Sequence, residues 1–162
     1  MPSDSPLDAG PRFIDDYLAY RLAQASQRIS DEFHREVEAA GLSVTEWRVL
    51  ASLKGAPAET IGSLARLAIT KQPTLSKVVQ RMEAEGLVAR TGVRRDRRQT
   101  QVVITRKGLN LIDSLCGQAM QHQRAVLAPL GERRAALLME MLGALMEGDI
   151  PFERREDAPT PR

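Results

Sequence analysis

The hydrophobic rhythm of this chain changes at Gly86, and that change restricts the fold more than any other feature. Before it, Leu75, Val78, Val79 and Met82 fall at i, i+3, i+4 and i+7, the spacing of one apolar helix face. After it, Leu87 to Val93 and Thr100 to Thr105 have β character, the second containing Val102, Val103 and Ile104. Between these two stretches lies Arg94-Arg95-Asp96-Arg97-Arg98-Gln99, which reads as a charged hairpin loop. A helix predicted from Gln72 to Glu85 therefore runs directly into a basic hairpin. Pro73 suits the first turn of that helix, where its missing N–H leaves no bond unmade.

Upstream, Ile61 to Ala68 reads as a short helix with Ile61, Leu64, Ala65 and Ala68 on one face, and Ile69-Thr70-Lys71 as a turn. Two short helices, a tight turn and a basic hairpin make a winged helix-turn-helix. Ahead of them, Arg12 to Ala40 reads as one long helix with Phe13, Tyr17, Leu22, Ala25, Ile29, Phe33 and Val37 near a single stripe, ended by Gly41. Ser43-Val44-Thr45-Glu46 has the form of a capping box, opening a helix that turns Trp47, Leu50 and Leu53 inward. After the hairpin, Thr105 is placed to cap a helix reaching about Ala128. Pro129-Leu130-Gly131 breaks it, and a last helix follows from Glu132 to Met146, burying Leu137, Leu138, Met141, Leu142 and Leu145.

The fold class is thus mainly α with a small β-hairpin wing: a winged helix-turn-helix at 43–105, helical dimerisation segments at 12–42 and 106–147, and flexible tails at 1–11 and 148–162. The terminal helices carry more apolar surface than a small module covers, which points to a homodimer. The chain has 162 residues, 27% of them charged, with a net charge of +2; the placement of charge thus says more than its sum. A single cysteine, Cys116, rules out an internal disulfide and fits a cytoplasmic location. No stretch approaches the ~20 apolar residues of a membrane helix, and no membrane partner is expected.

Two elements carry the chemistry. The helix from Gln72 offers Gln72, Pro73, Thr74, Ser76, Lys77 and Arg81 away from its apolar stripe; Gln72, Thr74 and Ser76 suit base edges, Lys77 and Arg81 phosphates. The hairpin tip offers Arg94, Arg95, Arg97 and Arg98 beside Asp96, a slim cationic ribbon suited to a minor groove. Asp96 can instead hold one arginine, Arg98 rather than Arg97, to keep the loop in shape.

The stretch AITKQPTLSKVVQRMEAEGLV from Ala68 to Val88, the Asp96-Arg97-Arg98 wing and Ile104-Thr105-Arg106-Lys107-Gly108 resemble the MarR family of bacterial regulators, as does Ser43 to Leu50. The likeness extends from about Phe13 to Met146, and the wing pattern of Asp, any residue, Arg is its most specific mark. It implies a dimer formed by the first and last helices, a double-stranded DNA operator as partner, and an effector that is a small aromatic acid or a phenol. By the same resemblance Tyr17, Tyr20, Arg21, Gln24 and Trp47 are the effector-site candidates.

Other chemistry is not indicated. Cys116 reads as a buried, inert thiol, His34 and His122 as surface residues without a second metal ligand, and there is no glycine-rich phosphate loop or catalytic set, so neither cofactor, metal nor enzyme activity is expected. The expected function is sequence-specific DNA-binding transcriptional regulation, as a repressor released from a palindromic operator by its effector. The alternative is a winged-helix module that binds protein rather than DNA. The arginine-rich wing argues against it, because docking faces are depleted of charge at their centre.

Overall fold

The computed structural model describes residues 12–93 and 96–148, which divide between His122 and Gln123 into two compact units. The tails assigned to 1–11 and 148–162 lie outside the described residues, except for Gly148, which follows the last helix. The first unit opens with a short helix α1 (Phe13–Asp16) and the longer α2 (Leu18–Ala39). The single long helix predicted here is interrupted at Tyr17, whose φ of −81° and ψ of 113° are extended. α3 (Val44–Leu53), α4 (Ile61–Leu67) and α5 (Gln72–Ala84) follow, then α6 (Arg106–Leu127). A 3-10 turn, Ala128–Leu130, precedes α7 (Glu132–Glu147) in the second unit.

Three strands replace the expected two. β2 (Val88–Val93) and β3 (Asp96–Ile104) form the hairpin, and β1 (Glu59–Thr60) adds to the other edge of β3, giving the antiparallel order β1-β3-β2. The ladder Val88↔Ile104 to Thr91↔Gln101 continues past a register shift at Gly92/Val93 to Val93↔Asp96. Asp96 to Gln99, read as loop, thus fall within the bounds of β3, where Asp96 pairs with Val93 across the register shift and Arg97 to Gln99 have no partner in the ladder. Thr60 then ends β1 and caps α4, its Oγ1 accepting from the Ser63 amide at 3.1 Å.

The core lies among α3, α4, α5 and the sheet, where Leu50, Leu53, Leu64, Leu75, Met82, Val88 and Val102 are fully buried. α2 adds Phe33 and Val37, and α6 adds Ile112 and Leu115. Other residues of the predicted α2 stripe are not covered: Tyr17, Leu22 and Ile29 are exposed, as are Leu137, Met141 and Leu145 of α7, which the sequence pattern places inside. A helix pattern identifies an apolar face but not the surface that covers it.

Three helices end in the same closure. After α2, the Leu42 amide donates to the Val37 carbonyl and the Gly41 amide to Glu38; after α5, Leu87 donates to Met82 and Gly86 to Glu83. After α4, Thr70 donates to Ala65 and Ile69 to Arg66. Each is a Schellman motif, which needs a left-handed residue at its turning point. Gly41 and Gly86 meet that need with φ of +79° and +74°, whereas the third position holds Ile69 at +55°. A β-branched residue there costs about 1–2 kcal/mol.

The hairpin, α5 and α6 converge at Thr105. Its hydroxyl lies 2.7 Å from the Gly86 carbonyl oxygen and accepts from the Gly108 amide at 3.1 Å. Its amide donates to the Leu87 carbonyl at 3.1 Å. Gly108 sits flush against that peptide: a Cβ there would overlap the Leu87 carbonyl oxygen and fall 2.9 Å from Ile104 Cγ1. Because the neighbour is backbone, it cannot swing away. Gly108→Ala is expected to destabilise the protein by about 2–3 kcal/mol, measurable as a lower urea midpoint with an unchanged slope.

Candidate nucleic-acid interface

α5 buries Leu75, Val79 and Met82 and leaves Gln72, Pro73, Thr74, Ser76 and Lys77 exposed on its outer face. The helix has Pro73 in its first turn and no side-chain cap at Lys71, so its first amides remain open to a ligand. Ser76 donates its hydroxyl proton to the Gln72 carbonyl at 3.1 Å, which leaves its oxygen as an acceptor. Charge is one-signed here. Between Glu59 and Glu83 the sequence has no acidic residue, but it has Arg66, Lys71, Lys77 and Arg81.

Arg81 stands apart from the other cations. Its Nε and Nη2 donate to Oε1 of Glu46 at 3.1 and 2.7 Å, a forked pair between α5 and the start of α3. Glu46 also accepts from the Ser43 amide at 2.8 Å and the Ser43 hydroxyl at 2.7 Å, while the Glu46 amide donates to Ser43 Oγ at 3.3 Å. The capping box read from the sequence is thus formed, and its buried carboxylate does a second job that local sequence does not show. Burial pushes the Glu46 carboxyl up, but the Ser43 amide and hydroxyl and then Arg81 outweigh it, and the net shift is downward. A phosphate must therefore compete with Glu46 for Arg81.

A second strut joins α5 to the hairpin. Glu83 accepts the Arg90 amide at 3.0 Å and the Arg90 Nε at 2.6 Å. These bonds hold its carboxyl below the usual range. Arg90 pairs with Val102 in the ladder, so the base of the wing is tied to the helix. Of the wing candidates, Arg94 and Arg95 lie outside the described residues. Asp96, Arg97 and Arg98 are placed in β3.

The effector candidates are not brought together within one chain. Tyr17 stacks on Phe13 with ring centroids 5.4 Å apart. Arg21 donates to the Asp15 carbonyl and lies 3.4 Å from Asp16, and Tyr20 and Gln24 are exposed on the same half of α2. Trp47 packs edge-on against Phe33 at 5.2 Å, thirteen positions beyond Tyr20 along α2 and so ~20 Å away. Near Trp47 a groove of about 320 Å³ is lined by Glu32, Phe33, Glu36, Gln118, Gln121 and His122. His122 lies 3.5 Å from Glu32 and 5.9 Å from the Phe33 ring. It is largely covered rather than a surface residue, and Cys116 is partly buried. No group of three His, Cys, Asp or Glu among the described residues is arranged to hold a metal. No helix among them is long and apolar enough to cross a membrane.

Residues 40–99 match the model of the MarR family. The chain is 35% identical over 101 residues to the HTH-type transcriptional repressor IacR of Pseudomonas putida, a stretch covering 62% of this chain and 60% of that repressor. It is 28% identical over 148 residues to the homoprotocatechuate degradative operon repressor of Escherichia coli, covering 90% and 97% of the two chains. A MarR family transcriptional regulator from Silicibacter pomeroyi DSS-3, known as a crystal structure, is 35% identical, superposes with a TM-score of 0.73, and is covered over 99% of its length by 83% of this chain. This chain belongs to the MarR family. Its fold is the MarR winged helix, mostly helical with a small antiparallel sheet. The names of its relatives are those of regulatory DNA-binding proteins rather than enzymes.

In this MarR protein the Glu46–Arg81 pair contributes a pH-dependent share of stability. A carboxyl held below its unfolded value stabilises fully above the ordinary carboxylate range of ~4–4.5 and loses that contribution as pH falls through the lowered value. Glu46→Gln is expected to cost about 2 kcal/mol at neutral pH. Its unfolding free energy should vary less between pH 6 and pH 3 than the wild type's, as read by urea titration at each pH.

Proposed function

We propose that this MarR protein is a sequence-specific DNA-binding transcriptional regulator that acts as a homodimer on a palindromic operator, as a repressor. The observation that carries the reading is the helix-turn-helix, free of acidic residues from Thr60 to Met82, whose second helix, α5, exposes Gln72, Thr74, Ser76 and Lys77 opposite its buried stripe. α5 enters the major groove, with Gln72, Thr74 and Ser76 toward base edges and Lys77 on phosphate. Arg94, Arg95, Arg97 and Arg98 carry the wing to the minor groove, with Asp96 bracing it. The dimer covers the apolar residues left exposed on α1, α2 and α7 and sets the two α5 helices about 34–36 Å apart, one turn of DNA.

The effector is a small aromatic acid or phenol. Support comes from relatives whose names concern aromatic catabolism, such as the homoprotocatechuate degradative operon repressor. At the groove beside Trp47, Glu32 and Glu36 repel a carboxylate but accept from a phenolic hydroxyl, so a phenol fits there. An aromatic acid instead suits Arg21 among Tyr17, Tyr20 and Gln24. Occupation of either place shifts the dimer toward a spacing that no longer matches successive major grooves.

Binding is tested by fluorescence anisotropy on a duplex that the protein selects from random DNA, across a salt series. Lys77→Ala is expected to weaken binding to selected and scrambled duplexes alike and to lower the salt slope by roughly 0.9 for each phosphate no longer neutralised. Arg81→Ala should destabilise the fold and leave the slope unchanged, because its guanidinium is engaged by Glu46. Thr74→Ala should lower discrimination between the two duplexes by about 1–3 kcal/mol for each base it reads. A paired thermal-shift panel of phenols and benzoates tests the effector: at least one compound is expected to raise Tm and to weaken DNA binding, and by linkage DNA must then weaken its binding by the same factor. A panel in which no compound does both excludes this effector class.

A further inference from the structure

The turn between α4 and α5 holds an isoleucine at a backbone position that favours glycine. Ile69 occupies the left-handed position that Gly41 and Gly86 occupy in the two equivalent closures, a conformation rarely adopted by a β-branched side chain. Burial offers no compensation, since Ile69 is 77% exposed. The conformation is imposed from several sides. Ala68 is buried, its carbonyl accepts from the Arg48 guanidinium at 3.3 Å, and the Thr70 amide reaches the Ala65 carbonyl at 2.9 Å. The isoleucine is thereby held outward three positions before Gln72, the first residue of α5.

Its surroundings choose the partner. Arg66, Lys71 and Lys77, the charged residues nearest to it in sequence, are exposed, and no acid lies between Glu59 and Glu83. A protein-docking face would be depleted of charge at its centre. A DNA duplex, by contrast, supplies phosphates for the cations and, in the major groove, apolar thymine methyl groups. We propose that Ile69 is a specificity residue whose side chain packs on a thymine C5-methyl at the edge of each half-site. The strained backbone places that side chain; a glycine would ease the turn but leave the methyl group uncovered. This inference rests on the DNA-binding reading above.

The test uses the full chain and its selected duplex, with Ile69→Gly and Ile69→Asn as variants that relieve the left-handed strain. Both should melt about 2–4 °C higher than the wild type while binding the duplex about tenfold more weakly. Replacing thymines by uracil one position at a time removes single methyl groups. At one thymine per half-site this should weaken wild-type binding about fourfold and leave the variants unaffected. Variants that bind as tightly as the wild type, or that melt lower and bind poorly, overturn the proposal, the latter by making Ile69 merely structural. A uracil scan that affects wild type and variants equally also overturns it. If the wild type selects no duplex at all, the regulator reading falls as well; if it selects one and the variants match it, only the role of Ile69 is withdrawn.

Discussion

The carboxylate of Glu46 is the point on which the arrangement of this protein turns. It accepts four hydrogen bonds, two from Ser43 and two from Arg81, so one buried charge both starts α3 and holds α5 against it. A buried carboxylate with fewer partners would be a liability; with its oxygens engaged it sets the rotation of α5 about its axis. That rotation decides which side chains face outward. Glu83 and Arg90 repeat the device on the other side, tying α5 to the hairpin. α5 and the base of the hairpin are therefore both tied to α3.

The same economy appears at the end of α5. Thr105, Gly108 and the Glu85–Leu87 carbonyls form a knot in which Lys107 also donates to Glu85 at 2.8 Å. α6 begins at this knot, and its buried residues Ile112 and Leu115 join the core that α5 faces. α6 therefore has a direct route to the end of α5. The route runs through backbone, with no room for a Cβ at Gly108, so it is stiff.

Much of this was legible in the sequence because it is local. The stripe of Leu75, Val79 and Met82, the Ser43–Glu46 capping box, the proline in the first turn of α5 and Thr105 ahead of α6 all depend on residues within one or two helical turns. The outer face of α5 followed from the same periodicity, since whatever is not on the stripe points away. The match of strands to hairpin was legible too, but its extent was not: a run of arginines looks like a loop in composition, while backbone pairing carries β3 back to Asp96. β1, two residues long, has no periodicity to read.

The sequence by itself determined the order of elements, the winged helix-turn-helix and the residues on its outer helix face, because periodicity and capping are set by near neighbours. Only the tertiary structure decided that Arg81 belongs to Glu46, 35 positions away, that Phe33 and Val37 of the α2 stripe are buried while Leu22 and Ile29 are not, and that Trp47 stands far from Tyr17 and Tyr20. Those outcomes depend on which surfaces the packing brings together. Ile69 shows the division most sharply. Its place in a turn was plain from the chain, but the left-handed backbone that holds it outward arises only when α4 closes onto Ala65 and Arg48 grips Ala68.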